Sequence, residues 1–265
     1  MKEQILSFLP PEYPWKDRLF VFPELDSTNN RLKVLASQGA PHGTVLIADR
    51  QTGGRGRMGR SFLSPPGVGI YMSILLRPEC APQELMHLTC AVAAAMCRAV
   101  ERSVGLRPGI KWTNDLVWGK QKFAGILTEM GLNAAGGVDW AIVGIGVNCC
   151  QKAEDFPPEI RDRACSLAMA AGQEIDRCRV AAAMMEALWE IDASLFTGKK
   201  DMLRFYRENC VTIGKEISVV GAGEVRHGRA LDVDDEGALV VEFPDSHVEA
   251  VNAGEVSIRG MYGYI

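Results

Sequence analysis

Gly53-Gly54-Arg55-Gly56-Arg57-Met58-Gly59-Arg60 threads three arginines through four glycines, and the segments on either side of it decide the fold. Glycine permits positive φ and a close approach to a ligand, and arginine offers a planar fork of donors suited to phosphate or carboxylate. The run therefore predicts a loop that wraps an anion, with a solvated, arginine-rich turn as the plainer alternative. Its Gly54-x-Gly56-x-x-Gly59 pattern also satisfies the dinucleotide-binding fingerprint, which demands a strand before it and a helix after it. Thr44-Val45-Leu46-Ile47-Ala48 reads as the strand, but Ser64-Pro65-Pro66-Gly67 forbids a helix, and the apolar run 70–76 is a second strand. The loop joins two strands, and a Rossmann fold is excluded.

Outward from this pair the sequence alternates helix and strand patterns. Leu32, Val34 and Leu35, bounded by Ser27 or Thr28 as N-cap and Gly39 at the C′ position, predict a helix over 29–38. An alanine-rich helix starts near Pro82 and ends at Gly105, with a face suited to packing on a sheet. Strands are expected at 109–112, 123–129 and 140–147, the last two joined by the turn residues 132–137. With the pair around the loop, these make a mixed, largely antiparallel sheet of at least five strands. Helices follow at 158–171, 178–195 and 199–208. Beyond Cys210 the pattern switches to short strands at 211–213, 216–220, 224–233, 238–243 and 256–258, separated by Gly221-Ala222-Gly223 and Asp234-Asp235-Glu236-Gly237, which predicts a small separate barrel.

Composition narrows the class. The 265 residues, 47% hydrophobic and 23% charged, suit one large or a large and a small globular domain, and no apolar run approaches the roughly 20 residues of a membrane helix. With no signal segment at the start, a cytoplasmic protein without a membrane partner is expected. Eight dispersed cysteines without a Cys-x-x-Cys pair read as buried thiols, and the four histidines fall in no motif. Residues 211–265 hold four Lys or Arg against ten Asp or Glu, whereas the whole chain carries only −4, so no nucleic-acid partner is expected.

Lys111-Trp112-Thr113-Asn114-Asp115 ends a strand on two hard-oxygen side chains of the kind Mg²⁺ accepts beside phosphate and water, and Lys122 opens the next strand. Taken alone, Asn114-Asp115 is more often a turn and Lys122 more often a solvated lysine. The chemistry they allow is neutralisation of charge at a phosphorus under attack by a carboxylate, which needs positioned cations and no protein nucleophile.

Ser27-Thr28-Asn29, the arginine loop, Lys111 to Asp115, Lys122 with Ala124-Gly125-Ile126-Leu127, and Gly144-Ile145-Gly146-Val147-Asn148 occur in the order and spacing of the biotin protein ligases. The chain resembles that family over nearly its whole length after residue 20. The resemblance implies a class II synthetase-like α/β ligase domain over 1–209 and a small Src homology 3-like barrel over 210–265. It implies ATP-dependent attachment of biotin, through biotinyl-AMP and with Mg²⁺, to a lysine of a biotin carboxyl carrier domain such as that of acetyl-CoA carboxylase. It further implies that Ser27, Thr28, Asn29 and Gln51, with Gly125, hold biotin, that Arg55, Gly56 and Arg57 close over its tail and the α-phosphate, and that Lys122 contacts the reacting carboxylate. Arg57, Arg60, Lys111, Trp112, Asn114, Asp115 and Asn148 fall to the nucleotide, with Asn114 and Asp115 at the metal and Trp112 either a wall of the site or a core residue. Thr113, where the family usually has proline, and Cys149-Cys150 depart from its pattern. With so little chain before residue 20, the monofunctional form without a DNA-binding domain is expected, and a homodimer stays open. The alternatives are a lipoate or octanoate ligase on the same fold and a non-catalytic biotin sensor.

Overall fold

A computed structural model describes residues 1–221 and 224–252 and the backbone of 257–260. Seven strands, β1 (Leu19–Leu25), β2 (Thr44–Gln51), β3 (Gly69–Leu76), β4 (Gly109–Lys111), β5 (Asp115–Trp118), β6 (Gln121–Leu132) and β7 (Val138–Asn148), form one sheet in the order β1-β2-β3-β7-β6-β5-β4. Every neighbouring pair is antiparallel except β1 and β2, which run parallel. The mixed sheet expected from the sequence is thus present, two strands larger than its minimum.

Strand alternation sends side chains to two different layers. Val45, Ile47, Ile70, Met72, Ile74, Val143 and Ile145 join the large core beneath α1 (Lys2–Phe8), α3 (Leu88–Val104), α5 (Arg177–Ser194) and α6 (Lys199–Asn209). Leu46, Leu75 and Ile142 point the other way and meet Leu32 and Ala36 of a single helix, α2 (Thr28–Ser37). Along that second face the register sets Ser73 opposite Gly144 and Gly125 opposite Gly146, so the side-chain layer thins out beside α2. A Cβ on Gly144 would stand 2.1 Å from Asn29 Oδ1, and one on Gly146 would stand 2.6 Å from the Phe62 ring. The glycines open a cleft that the sheet would otherwise fill.

The second unit pairs β8 (Glu216–Gly221), β9 (Glu224–Val233), β10 (Leu239–Glu242), β11 (Val248–Val251) and β12 (Ser257–Gly260) in the antiparallel order β11-β10-β9-β8-β12. Its inward residues, among them Ile217, Val219, Leu239 and Val241, belong to the same continuous core as α3 and α6. All eight cysteines are free thiols, six of them buried, as expected.

Three expectations need correction. The helix over 158–171 is only α4 (Leu167–Ala171), because Lys122 N–H donates to Arg163 O and Cys165 N–H to Lys122 O, which holds 163–165 extended beside β6. Residues 211–213 turn instead of forming a strand: Val211 N–H donates to Ile110 O and Lys215 N–H to Thr212 O, with Gly214 at φ 80°. The helix drawn from Pro82 begins at Leu88, after a 3-10 turn at Pro82–Leu85. Ala222 and Gly223 of the expected turn, and Val256 at the start of the last strand, lie outside the described residues.

Candidate active site

The cleft is floored by the start of α2. Ser27 caps the helix, its side chain accepting from Asn30 N–H, and this places Thr28 and Asn29, both buried, against the glycine-lined sheet. The Thr28 backbone N–H and hydroxyl both donate to Gln51 Oε1, at 2.9 and 3.0 Å, and Gln51 Nε2 donates to Ser64 Oγ at 3.1 Å. Ser73 Oγ sits 2.6 Å from both Thr28 Oγ1 and Asn29 Oδ1. Buried polar groups in an apolar layer stay only where hydrogen bonds satisfy them, and this cluster satisfies its members mutually. It is the end of the cleft built to hydrogen-bond an uncharged polar ligand.

The other end is cationic. Arg57, Arg60, Lys111 and Lys122 line it with one carboxylate, Asp115, while Arg55, also in the lining, reaches Asn30 of α2 at 3.0 Å. Lys122 Nζ donates to Asp115 Oδ1 at 2.6 Å, and Arg57 donates to Asn114 Oδ1 at 3.0 Å, while Asn114 Nδ2 donates to Ile126 O at 2.9 Å. Burial pulls the Lys111 ammonium down to about 8, against the opposing pull of Asp115 and with Lys122 and Arg60 adding to the drop. Burial likewise holds the Arg57 guanidinium below its ordinary value. A pocket that confines several cations together is strained electrostatically until a polyanion enters.

The arginine loop closes over these two ends as an irregular hairpin. Arg55 bridges Ser61, Gly56 N–H donates to Arg60 O at 2.7 Å, and Phe62 N–H donates to Gly54 O at 2.9 Å. At its tip Gly59 has φ 73°, which the missing side chain permits. Phe62 returns the chain under the loop, its ring against Gly146 and 6.0 Å from Lys122 Nζ.

Every residue expected from the sequence lines this cleft except Asn148. Asn148 is buried, donating to Cys165 O at 3.2 Å and accepting from Gln151 Nε2 at 3.3 Å, so it braces the 163–165 segment against which Lys122 is held. Trp112 proves both wall and core: it is 4% exposed, and its indole N–H donates to Gly237 O of the barrel at 3.0 Å. As for Mg²⁺, Asn114 and Asp115 supply one amide and one carboxylate oxygen, each already accepting from a cation. No group of three or more His, Cys, Asp or Glu that could hold a metal ion occurs among the described residues. Such a donor set fits an ion that brings most of its ligands with it as phosphate oxygens and water.

Leu127 and Ile145 also line the cleft, from motifs noted in the sequence but given no role there, whereas Met72 in the lining and Ser73, which supports the floor, were not singled out from the sequence. The lone serine inside the apolar run 70–76 was the signal for Ser73. No helix among the described residues is long and apolar enough to cross a membrane.

Comparison with known proteins agrees with this geometry. Residues 21–148 match the Biotin/lipoate A/B protein ligase family, and residues 212–259 match the Biotin protein ligase C terminal domain. Over 219 residues the chain is 37% identical to the bifunctional ligase/repressor BirA of Bacillus subtilis, covering 82% of this chain and 67% of that protein. Over 248 residues it is 31% identical to the biotin–[acetyl-CoA-carboxylase] ligase of Mycobacterium tuberculosis, covering 91% and 89%. Its fold matches that of the biotin protein ligase from Aquifex aeolicus solved in complex with biotin and ATP, with a TM-score of 0.76 at 30% identity over 91% of this chain and 98% of that one. Both folded units thus find their counterparts in the same order along related proteins, and the chain belongs to the biotin protein ligase family.

Proposed function

We propose that this chain activates biotin with ATP and passes it to a protein lysine. A carboxylate oxygen of biotin attacks the α-phosphorus, the bond to the β-phosphate oxygen breaks, and pyrophosphate leaves with that electron pair. The lysine amine of an acceptor then attacks the acyl carbon of biotinyl-AMP, AMP departs, and the amine loses its proton. The observation that carries this reading is the polarity of the cleft, neutral hydrogen-bonding groups at one end and clustered cations at the other. Lys122 stands among those cations, above Gly125.

In this assignment Ser27, Thr28, Asn29 and Gln51 hold the ureido ring and Gly125 leaves room for the tail. Arg55 and Gly56 cover the tail, and Arg57 and Lys122 meet the charge that develops at carboxylate and phosphorus. Arg60, Lys111, Trp112, Asn114 and Asp115 take the nucleotide, the last two with any Mg²⁺ carried on its phosphates. The catalytic domain is assigned to 1–209 and the barrel to 210–265, the acceptor is a carboxyl carrier domain, and the compartment is the cytoplasm. DNA is not a partner in this proposal, because the chain as a whole carries −4 and residues 211–265 are acidic. Saturable binding to a duplex in a mobility-shift assay at physiological salt would contradict that assignment. The central test is exchange of labelled pyrophosphate into ATP: it should depend on biotin, and exchange driven by lipoate alone would move the chain to the other branch of its family.

Two further outcomes follow from the cationic end. Arg57→Ala should release biotinyl-AMP about 10- to 100-fold faster, since a charge-assisted bond contributes about 1.5–3 kcal/mol. Stopped-flow release of a fluorescent adenylate analogue checks this, and an unchanged rate would show that the loop is no lid. Lys111 gives a pH signature. Its folded value of about 8 lies below the ordinary 10.5, so the fold disfavours its charge, and stability owed to this group rises with pH between those values. A bound polyphosphate favours the charged form again. Nucleotide binding at about pH 8.5 should therefore take up protons, visible by calorimetry in buffers of different ionisation heat, and Lys111→Met should abolish the uptake.

A further inference from the structure

Thr28, Asn29, Gln51 and Ser73, on the floor of the cleft, all have hydrogen-bond partners, and the roles of most of their atoms are fixed. The Thr28 backbone N–H, 2.9 Å from Gln51 Oε1, can only donate, so the Gln51 amide turns its oxygen toward Thr28. Asn29 Nδ2 lies 2.9 Å from Glu129 Oε2 and 3.4 Å from Leu127 O, so the Asn29 amide turns its oxygen the other way, onto Ser73 Oγ at 2.6 Å. Glu129, on β6, is outside the lining of the cleft, and its side chain is only 19% exposed. Burial pushes its carboxyl up, but the hydrogen bonds from Lys33 and Asn29 and the charges of Lys33 and Arg55 outweigh it and hold the group ionised, able only to accept. Lys33 and Asn29 both belong to α2, so the contacts that fix the Asn29 amide join one helix to one strand.

The two hydroxyls must serve what remains. Three oxygen–oxygen contacts cross the floor: Thr28 Oγ1 to Gln51 Oε1 at 3.0 Å, Thr28 Oγ1 to Ser73 Oγ at 2.6 Å, and Ser73 Oγ to Asn29 Oδ1 at 2.6 Å. Thr28 and Ser73 bring one proton each and the amide oxygens bring none, so two protons face three contacts. When Thr28 donates to Gln51, Ser73 serves Thr28 or Asn29 but not both. Two oxygens then stand 2.6 Å apart with no proton between them, among side chains that are all buried. An N–H brought to Gln51 Oε1 and Thr28 Oγ1, both on the cleft lining, removes the shortage. Thr28 turns its proton to Ser73, Ser73 turns its own to Asn29, and the ligand bridges the 3.0 Å gap. An acceptor atom in the same place would only add to the shortage.

We propose that Glu129 is a positioning residue that sets the polarity of this floor: by holding the Asn29 oxygen on Ser73 it keeps the floor one proton short, and the site thereby selects a ligand that brings N–H donors, as a cyclic urea does. The proposal rests on the biotin reading of the cleft and deepens it. Were the Asn29 amide reversed, its nitrogen would donate to Ser73, Ser73 to Thr28 and Thr28 to Gln51, and three protons would fill three contacts without any ligand. An ionised carboxylate at 129 forbids that reversal, because it would face the Asn29 oxygen with no proton to offer. A glutamine at 129 permits it, because its own amide N–H can donate to that oxygen. Hydrogen-bonded chains of this kind act as units, so a change at Glu129 is felt at Thr28.

The test measures pyrophosphate exchange with biotin and with its cyclic carbonate analogue, in which oxygen replaces both ureido N–H groups, in the full-length parent and three variants. The parent should favour biotin in kcat/KM on the order of 10²-fold or more, because a site built to take N–H groups rejects a ligand that lacks them. Glu129→Gln should raise the KM for biotin about tenfold, leave the KM for ATP within twofold, and so compress that preference about tenfold. Lys33→Met removes the charge beside Glu129 but leaves Asn29 held, and should keep the parent's preference within twofold. Should Glu129→Gln fail to fold, Ser73→Ala decides. It leaves one proton for the one remaining contact, Thr28 to Gln51, and should compress the preference likewise. An undiminished preference in Glu129→Gln or Ser73→Ala, equal rises in both KM values, or the same compression in Lys33→Met would overturn the proposal. A parent that exchanges equally well with biotin and the carbonate would overturn it and leave the biotin reading intact, whereas a parent without biotin-dependent exchange would end both.

Discussion

Lys122→Met should slow formation of biotinyl-AMP on the order of 10²–10³-fold, the usual loss when a preorganised group that stabilises developing charge is removed. Lys122 is suited to that role by how it is held as much as by its charge. Its backbone is locked between Arg163 O and Cys165 N–H, a bracket no side-chain change disturbs, and its Nζ rests on Asp115 Oδ1 at 2.6 Å. When a carboxylate and an α-phosphate enter, the ammonium has acceptors on two sides and need move little to follow charge from one to the other. The fold should tolerate the substitution. The lysine side chain is 27% exposed, partly exposed ion pairs contribute about 0–1 kcal/mol, and Asp115 keeps the nearby charge of Lys111. Single-turnover adenylation measured beside thermal unfolding separates the two effects. A variant that adenylates biotin as fast as the parent would end the assignment, whereas a slow variant with a collapsed melting temperature would point to packing instead of catalysis.

What could be read from the chain was what is local. The strands flanking the arginine loop announce themselves by unbroken apolar runs, α2 by Ser27 and Gly39 at its ends, and the loop by its composition. What escaped depends on pairings between distant segments. β1 carries Pro23, which argues against a strand until its place at the sheet edge is known, where one missing donor is harmless. β5 spans only Asp115–Trp118 and hides behind the Asn114-Asp115 turn. Residues 158–166 have helical spacing, but the backbone of Lys122 claims Arg163 O and Cys165 N–H. The same logic governs the site. Its lining side chains sit in recognisable motifs, but Ser73 and Glu129, which hold Asn29 in place, lie 44 and 100 residues from it, and no local pattern links them. Asn148 shows the converse: it stands in a recognisable motif, yet the fold turns its amide inward to brace the neighbour of Lys122.

Removal of everything after Cys210 should abolish ligation, for a reason that begins at Trp112. This residue lines the cleft, in the part proposed to take the nucleotide, and both of its donors are satisfied by the second unit: its backbone N–H by Thr212 Oγ1 at 2.9 Å and its indole N–H by Gly237 O at 3.0 Å. Leaving a buried donor unpaired costs about 1–3 kcal/mol, so truncation leaves the cleft wall short by several kcal/mol even before the apolar face of α3 and α6 is exposed. Against a total stability of about 5–15 kcal/mol, that loss is decisive. A fall in ligation on the order of 10²-fold or more is expected, accompanied by a lower melting temperature. Thr212→Val isolates the local part, since it removes one acceptor and nearly nothing else. It should destabilise the protein by about 1–3 kcal/mol and weaken ATP more than biotin, because Trp112 is among the residues assigned to the nucleotide whereas Thr28 and Gln51 are assigned to biotin. If the shortened chain ligated at the full rate, the barrel would be an appendage, and the hydrogen bonds it makes to Trp112 would have no part in holding the cleft.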